Sequence, residues 1–349
     1  MSNNAAASVK KDAPNLSLRE KIEVIRSNRY FLAIFPFAIL LLMILGFGLA
    51  TGGKFLGFTY KNDAWVFNSR VPLGIFKQAI IIGTCATGVA FIYSNGNLDI
   101  SIGAVLGLAA TLGMKAYAAG GSVPVMMLIC MAAAIGLMLF NCTMSVVCNI
   151  KTITVAIVVT QIYNAISTVL IGGAGKIDFD YDTAKGLMDG GFNNYMFIVY
   201  FVVCILIFHK TRVGRELRFL GGNENCAEQT GMSNAKSTYI SFLITGIGIG
   251  LAAIFSVLDV SAVSVETGNG LGMDVMLATV LGGMSIFGGA RSNAYAGFIG
   301  ALTVAALNKG LLMVGVSSAL IQGIRGVIFL LLVYLNSERQ NLLPSRVQF

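Results

Sequence analysis

Ten apolar runs, each near the length of a membrane-crossing helix, fill most of this 349-residue chain. They cover approximately residues 31–50, 75–93, 103–119, 123–148, 152–171, 195–208, 237–258, 274–289, 294–313 and 317–336. A helix needs about 20 apolar residues to cross a hydrocarbon core about 30 Å thick. In that core every backbone N–H and C=O must find an internal partner, which leaves helices as the expected structure. Only 11% of the residues are charged, against about 25% in soluble domains, so a soluble fold is excluded. The expected fold is an all-α polytopic membrane protein with about ten transmembrane helices over residues 31–336. A polar segment 1–30 precedes it and a short tail 337–349 follows. The sixth run is short and the eighth is broken by glycines.

Charge sets the expected orientation. With the N-terminus inside, fifteen of the 24 Lys and Arg fall in inner segments and five in outer ones, as the positive-inside rule requires. Both termini are then cytoplasmic. The net charge of +8 reads as topology and not as a nucleic-acid footprint. Residues 1–30 lack the form of a cleaved signal peptide. Ser17-Leu18-Arg19-Glu20 fits a capping box, and Leu18, Ile22 and Ile25 then share a helical face. That pattern suits a helix lying on the membrane surface; a disordered basic arm is the alternative.

Several chemistries are absent from the sequence. There is no GxxxxGK[ST] phosphate loop, so an ATP-driven process would need a motor on another polypeptide. The six cysteines form no CxxC pair and His209 is the single histidine, so neither a metal site nor a disulfide framework is expected. No cofactor and no catalytic constellation are indicated.

The polar residues inside the apolar runs carry the remaining information. Asn97 and Asp99 lie in the turn between the second and third runs. A carboxylate at membrane depth costs roughly 2.5–3.5 kcal/mol on insertion scales unless satisfied. Asp99 either caps the third helix or borders a transport path. In the fifth run Thr160, Tyr163, Asn164, Ser167 and Thr168 share one expected helical face, with Gln161 beside them. Such a stripe either lines a path or joins helices, and Gln161, Asn164 and Thr168, together with Asn97, Asp99 and Asp274, are taken as candidate path residues. Gly246-x-Gly248-x-Gly250 reads as a packing face. Leu281 to Gly289 holds two glycine pairs, the mark of a broken or re-entrant helix. Asp274 stands at the start of that run, and Arg325, inside the tenth, must find a partner or water. Gly103-x-x-x-Gly107 and Ala296-x-x-x-Gly300 hint at a weak internal repeat.

Residues 210–236 form a polar, basic stretch between two apolar runs, with Lys210, Arg212, Arg215, Arg218 and Lys236. It is expected to be a cytoplasmic docking loop. Gly214, Gly221 and Gly222 are expected to allow backbone turns. Arg215, Asn223 and Glu228 are its candidate contact residues, Glu228 pairing either with a docked partner or with Arg215 or Arg218.

Four of these motifs, in order, resemble those of the ribose- and galactoside-type ABC importer permeases. Gly96 to Gly103 is similar to GGIDLSVG. Thr211-Arg212-Val213-Gly214-Arg215 with Gly221 to Ala227 resembles the T-x-x-G-R…GGNxxAA coupling loop. Ala278 to Gly289 resembles AAVVLGGTSLFGG, and Leu307 to Leu311 with Gly315 to Ser318 resembles LNNGL…GVS. The resemblance implies a multi-pass subunit of the bacterial cytoplasmic membrane. It would work with a second permease copy, two ATP-binding subunits and an extracytoplasmic sugar-binding protein, importing a monosaccharide or a related glycoside or polyol. The chain departs from the family pattern in three places. It lacks a proline near the start of the fifth run, has Gly272-Met273 before Asp274 where Glu-Leu is usual, and carries Lys309 for the second asparagine of LNNGL. A nucleoside-type ABC permease is the nearest rival. An ion-coupled carrier would want acidic residues at the bilayer midplane, which Asp99 and Asp274, near helix ends, supply poorly. A membrane scaffold would leave the stripe and the docking loop unexplained.

Overall fold

The computed structural model describes residues 29–61, 64–285, 288–289 and 292–336. The interfacial helix expected near residues 17–26 and the tail 337–349 lie outside the described residues. Helices dominate, and each apolar run holds one: α1 (Arg29–Ala50), α2 (Arg70–Ser94), α3 (Ile102–Ala118), α4 (Val123–Val147), α5 (Thr152–Ile171), α7 (Phe192–Lys210), α10 (Asn234–Val260), α11 (Leu271–Leu281), α12 (Ala296–Met313) and α13 (Ser318–Asn336). Among the described residues six of these (α2, α4, α5, α7, α10 and α12) are long and apolar enough to cross a membrane. Three further helices are short: α6 (Tyr181–Asp189), α8 (Arg212–Gly222) and α9 (Glu224–Gln229). Two small two-stranded antiparallel sheets were not anticipated by the all-α reading. One pairs β1 (Phe58–Lys61) with β2 (Ala64–Phe67); the other pairs β3 (Lys176–Asp178) with β4 (Ala262–Ser264), Ile177 opposite Val263.

The centre of the bundle is α2 and α10, which pack on each other and are buried along most of their length, while α4, α5 and α7 keep most of their surface outward. Small residues permit this close packing. A Cβ on Gly246 would sit 2.9 Å from the Cα of Ile135 on α4, and one on Gly248 would meet the ring of Tyr200 on α7. The glycines of the Gly246-x-Gly248-x-Gly250 motif therefore serve two faces, not one. Tyr200 in turn donates to the carbonyl of Ile244 at 3.0 Å.

Side-chain bonds sort the connections between helices into two ends. At the basic end, Asn95 donates to Asn234 Oδ1 at 3.2 Å and to Thr238 Oγ1 at 3.0 Å. Asn97 Oδ1 accepts from Thr152 at 3.1 Å. At the opposite end Lys77 pairs with Asp259 at 3.3 Å, the β3–β4 sheet joins the chain after α5 to the chain after α10, and Tyr117 packs on Phe179. There α6 is capped by Asp180, whose carboxylate accepts from the N–H of Thr183. The Thr183 hydroxyl and N–H hold the Asp180 carboxyl below its ordinary range.

Two connections do not stay at the ends. After α2 the chain turns at Gly96, where φ is 77°, and residues 97–101 run back into the bundle before α3 begins at Ile102. After β4, residues 265–270 also enter the bundle, from the opposite end, before the short helix α11 begins at Leu271. The run expected at 274–289 is thus a helix over 271–281, ended at the first glycine pair. Its broken character was expected from the glycines; its early start was not.

Candidate functional site

The two re-entering segments meet inside the bundle. A Cβ on Gly103 would run into the carbonyl of Gly268, one on Gly268 into the carbonyl of Gly103, and one on Gly272 into the carbonyl of Ile100. The backbones touch there because neither carries a side chain, as irregular backbone buried among helices demands. Each segment brings a carboxylate with it.

On the first, Asp99 is fully buried. Its Oδ1 accepts from the Ser101 N–H at 2.7 Å and the Ser101 hydroxyl at 2.6 Å. Ser101 Oγ accepts from Asn141 Nδ2 at 2.9 Å, and Asn141 Oδ1 accepts from the Tyr163 hydroxyl at 2.7 Å. Asp99 therefore caps no N–H within α3; it folds the residues just ahead of it and opens a chain of bonds through α4 to α5. Asn97 fastens the same segment to the start of α5.

On the second, Asp274 sits in the first turn of α11, where a carboxylate is favoured by the helix dipole. Arg325 Nη1 of α13 lies 2.9 Å from its Oδ1, and Asn308 Nδ2 of α12 donates to its Oδ2 at 3.1 Å. Arg325 Nε closes the ring by donating to Asn308 Oδ1 at 2.9 Å. Arg325 thus has the partner its position required. A buried charge is tolerable only when matched and hydrogen-bonded in this way.

The stripe of the fifth run divides. Tyr163 and Ser167 point into the bundle, whereas Gln161, Asn164 and Thr168 lie on the outward face of α5 beside Ile157, Ile162 and Val169. Of the expected face only Asn164 and Thr168, with part-buried Thr160, stay together, and Gln161, expected beside that face, joins them.

The basic stretch is not a loop but two helices. In α8, Gly214, Leu217 and Leu220 are buried while Arg212, Arg215 and Phe219 are exposed. Asn223 ends α8 and caps α9, accepting from the Cys226 N–H at 3.1 Å. The turn-making role expected of Gly214, Gly221 and Gly222 is overturned, since all three are helical and none has positive φ. Gly214 is needed for a different reason: a Cβ there would collide with the carbonyl of Phe208 at the end of α7. Gly221 likewise lies against the carbonyl of Ser94 and 2.8 Å from the Gly289 N–H position, whereas Gly222 faces open space. Arg218 is turned inward, donating to the Gly214 carbonyl at 3.0 Å over the Phe208 ring. Among the described residues Glu228 makes no ion pair with Arg215 or Arg218.

Sequence reasoning missed Asn141, Asn308 and Phe219. Asn141 was visible as a lone amide in an apolar run, Asn308 as the retained asparagine of its motif, and Phe219 as an aromatic among arginines.

No solved structure matches this chain. Curated proteins do. The chain is 23% identical to the galactofuranose transporter permease protein YtfT of Escherichia coli strain K12, over 80% of this chain and 82% of that one. It is 28% identical to the ribose import permease protein RbsC of the same strain, over 76% and 85%. It is 25% identical to the autoinducer 2 import system permease protein LsrD of Salmonella typhimurium strain LT2, over 88% and 91%. A family match over residues 71–333 takes in all four ordered motifs, both re-entering segments and the α8–α9 pair. It makes this chain a member of the family described as "branched-chain amino acid transport system / permease component", a membrane permease subunit and not an enzyme.

Proposed function

We propose that this chain is the translocation subunit of an ABC importer for a monosaccharide (ribose-, galactose- or xylose-like) or a related glycoside or polyol. It sits in the bacterial cytoplasmic membrane with both termini and α8–α9 inside. Two ATP-binding subunits dock on α8–α9, a second permease copy completes the path, and an extracytoplasmic sugar-binding protein delivers the solute. The observation that carries this reading is the α8–α9 pair. Its charged and aromatic residues Arg215, Phe219 and Glu228 stand outward, while its glycines seat it against the ends of α7 and α2. A basic helix pair with an exposed phenylalanine has the composition of a docking surface. The outward face of α5 with Gln161, Asn164 and Thr168 is assigned to the path, and Asn97, Asp99 and Asp274 to the framework that holds it open. Alternating access then requires only that ATP binding favour one arrangement of the two copies over the other.

The test is uptake of labelled D-ribose, D-galactose and D-xylose by cells whose own sugar importers are deleted, supplied with the complete transporter. Uptake of at least one sugar is expected, and it should be abolished by a doubly substituted Arg215→Glu, Phe219→Ala variant that still reaches the membrane. Normal uptake by that variant would refute the docking assignment. Uptake of nucleosides in place of sugars would favour the rival permease class.

A further inference from the structure

The segment between β4 and α11 reaches into the bundle as far as Gly103 and Gly107 of α3. The Thr267 carbonyl would be 2.5 Å from a Cβ on Gly107, and Gly107 stands about 16 Å along α3 from its end at Ala118. From the other side, the paired Gly103 neighbours Ser101, which is bonded to Asn141, and Asn141 stands about 9 Å along α4 from its end at Val147. With a hydrocarbon core about 30 Å thick, both rulers put Thr267 near mid-depth.

There the segment is non-helical; Thr267 and Gly268 pack against α3 while its other side is open. Val265, Glu266 and Asn269 are exposed. Asn269 Nδ2 donates to Glu266 Oε2 at 2.8 Å, which leaves Glu266 Oε1 and Asn269 Oδ1 as outward acceptors. On α13, Gln322 is also exposed, and its Nε2 would be 3.9 Å from a Cβ on Gly270. Lipid cannot face a carboxylate and an amide at the midplane; such groups occur only against protein or water. Arg325, the nearby cation, is already bound by Asp274 and Asn308, so among the described residues Glu266 has no ion pair.

We propose that Glu266, Asn269 and Gln322 form a wall of the water-filled substrate path that recognises the hydroxyl groups of a neutral polyhydroxylated solute. The inference rests on the importer reading above and gives it a specificity element. A carboxylate and two amides offer ring hydroxyls several acceptors, with one N–H of Asn269 and both of Gln322 left as donors. The same unmatched carboxylate repels phosphorylated or acidic sugars, so the solute is uncharged at this point of the path.

Two measurements on the complete transporter in cells test this. In a variant lacking the six native cysteines, Glu266→Cys and Asn269→Cys should react with the water-soluble reagent 2-sulfonatoethyl methanethiosulfonate at least tenfold faster than Val199→Cys, placed on the outward face of α7. Equal rates would mean a dry face and would overturn the proposal. In the native-cysteine transporter, Glu266→Ala should lower uptake of whichever of D-ribose, D-galactose and D-xylose is imported by roughly 10- to 100-fold, as expected for loss of hydrogen bonds to a charged group. Glu266→Gln should restore part of it. Unchanged uptake by Glu266→Ala would also overturn the proposal. If the unsubstituted transporter imports none of the three sugars, the importer reading fails for these solutes, and the labelling rates still decide whether this wall faces water.

Discussion

The bundle interior and the α8–α9 pair both hold charged residues, but they treat them in opposite ways. In the interior, Asp99 is linked through Ser101 to Asn141 and Tyr163, and Asp274, Asn308 and Arg325 form a separate ring across α11, α12 and α13. On α8–α9, Arg215 and Glu228 are left outward with no ion pair to each other. The cause is solvent. Water satisfies an exposed charge, so a surface pair contributes at most about 1 kcal/mol. An unmatched charge within the bundle has no such recourse, and its partners must come from the chain. Interior polar residues are held mainly by partners inside the chain and build the framework, although Asp99 Oδ2 has none among the described residues; those left outward on α8–α9 are available to another molecule.

The comparison can be broken most severely at Arg325. Asp274→Leu alone strands the guanidinium in the bundle and should destabilise the protein by about 3–5 kcal/mol. The double variant Asp274→Leu, Arg325→Met should recover most of that loss. Thermal aggregation of detergent-purified protein checks both; a double variant as unstable as the single one would show that the pair is not a self-contained unit. Next in size, Gly221→Val should abolish transport, because its side chain must enter the space of the Ser94 carbonyl. Gly222→Val, one residue on, faces open space and should retain transport, since valine is no poorer a helix former than glycine. Equal damage by both would return the role of these glycines to backbone conformation. The next effect is that of Tyr163→Phe, which leaves Asn141 Oδ1 without its donor and should cost about 1–3 kcal/mol, read as a lowered melting temperature with transport specificity kept. Smallest is Glu228→Ala: with no ion pair among the described residues, it should leave stability of the isolated subunit unchanged, and any effect should appear only in ATP-dependent uptake.

These cases also show what a sequence exposes and what it hides. The ten apolar runs were legible because the requirement for internal hydrogen bonding acts on every residue of a crossing helix. The need of Arg325 for a partner was legible for the same reason, but its identity was not: Asp274 lies 51 positions earlier, and only the packing of α11 against α13 joins them. The stripe on α5 was read as one face from helical spacing alone. Which side of a helix is covered depends on its neighbours, and α3 and α4 take Tyr163 and Ser167 while leaving Gln161, Asn164 and Thr168 outward. The glycines of residues 210–236 were read as turns because glycine most often signals φ > 0. Here two of them serve close approach instead, a property of the surface opposite that no local pattern records. The approach of residues 267–268 to Gly103 and Gly107 was hidden in the same way, since an apolar-run count leaves them in the connection between two runs.

The seating of α8 has a mechanical consequence. At Gly214 it meets the end of α7, and at Gly221 the end of α2 and the turn at Gly289, which itself donates to the Ser94 carbonyl at 3.2 Å. Side chains at a joint act as springs, since their rotamers can shift to absorb strain; here backbone bears on backbone and there is little to compress. A push delivered to α8 from below is expected to arrive at α2 and beneath α11 with little lost motion, as through a stiff pushrod rather than a cushioned hinge.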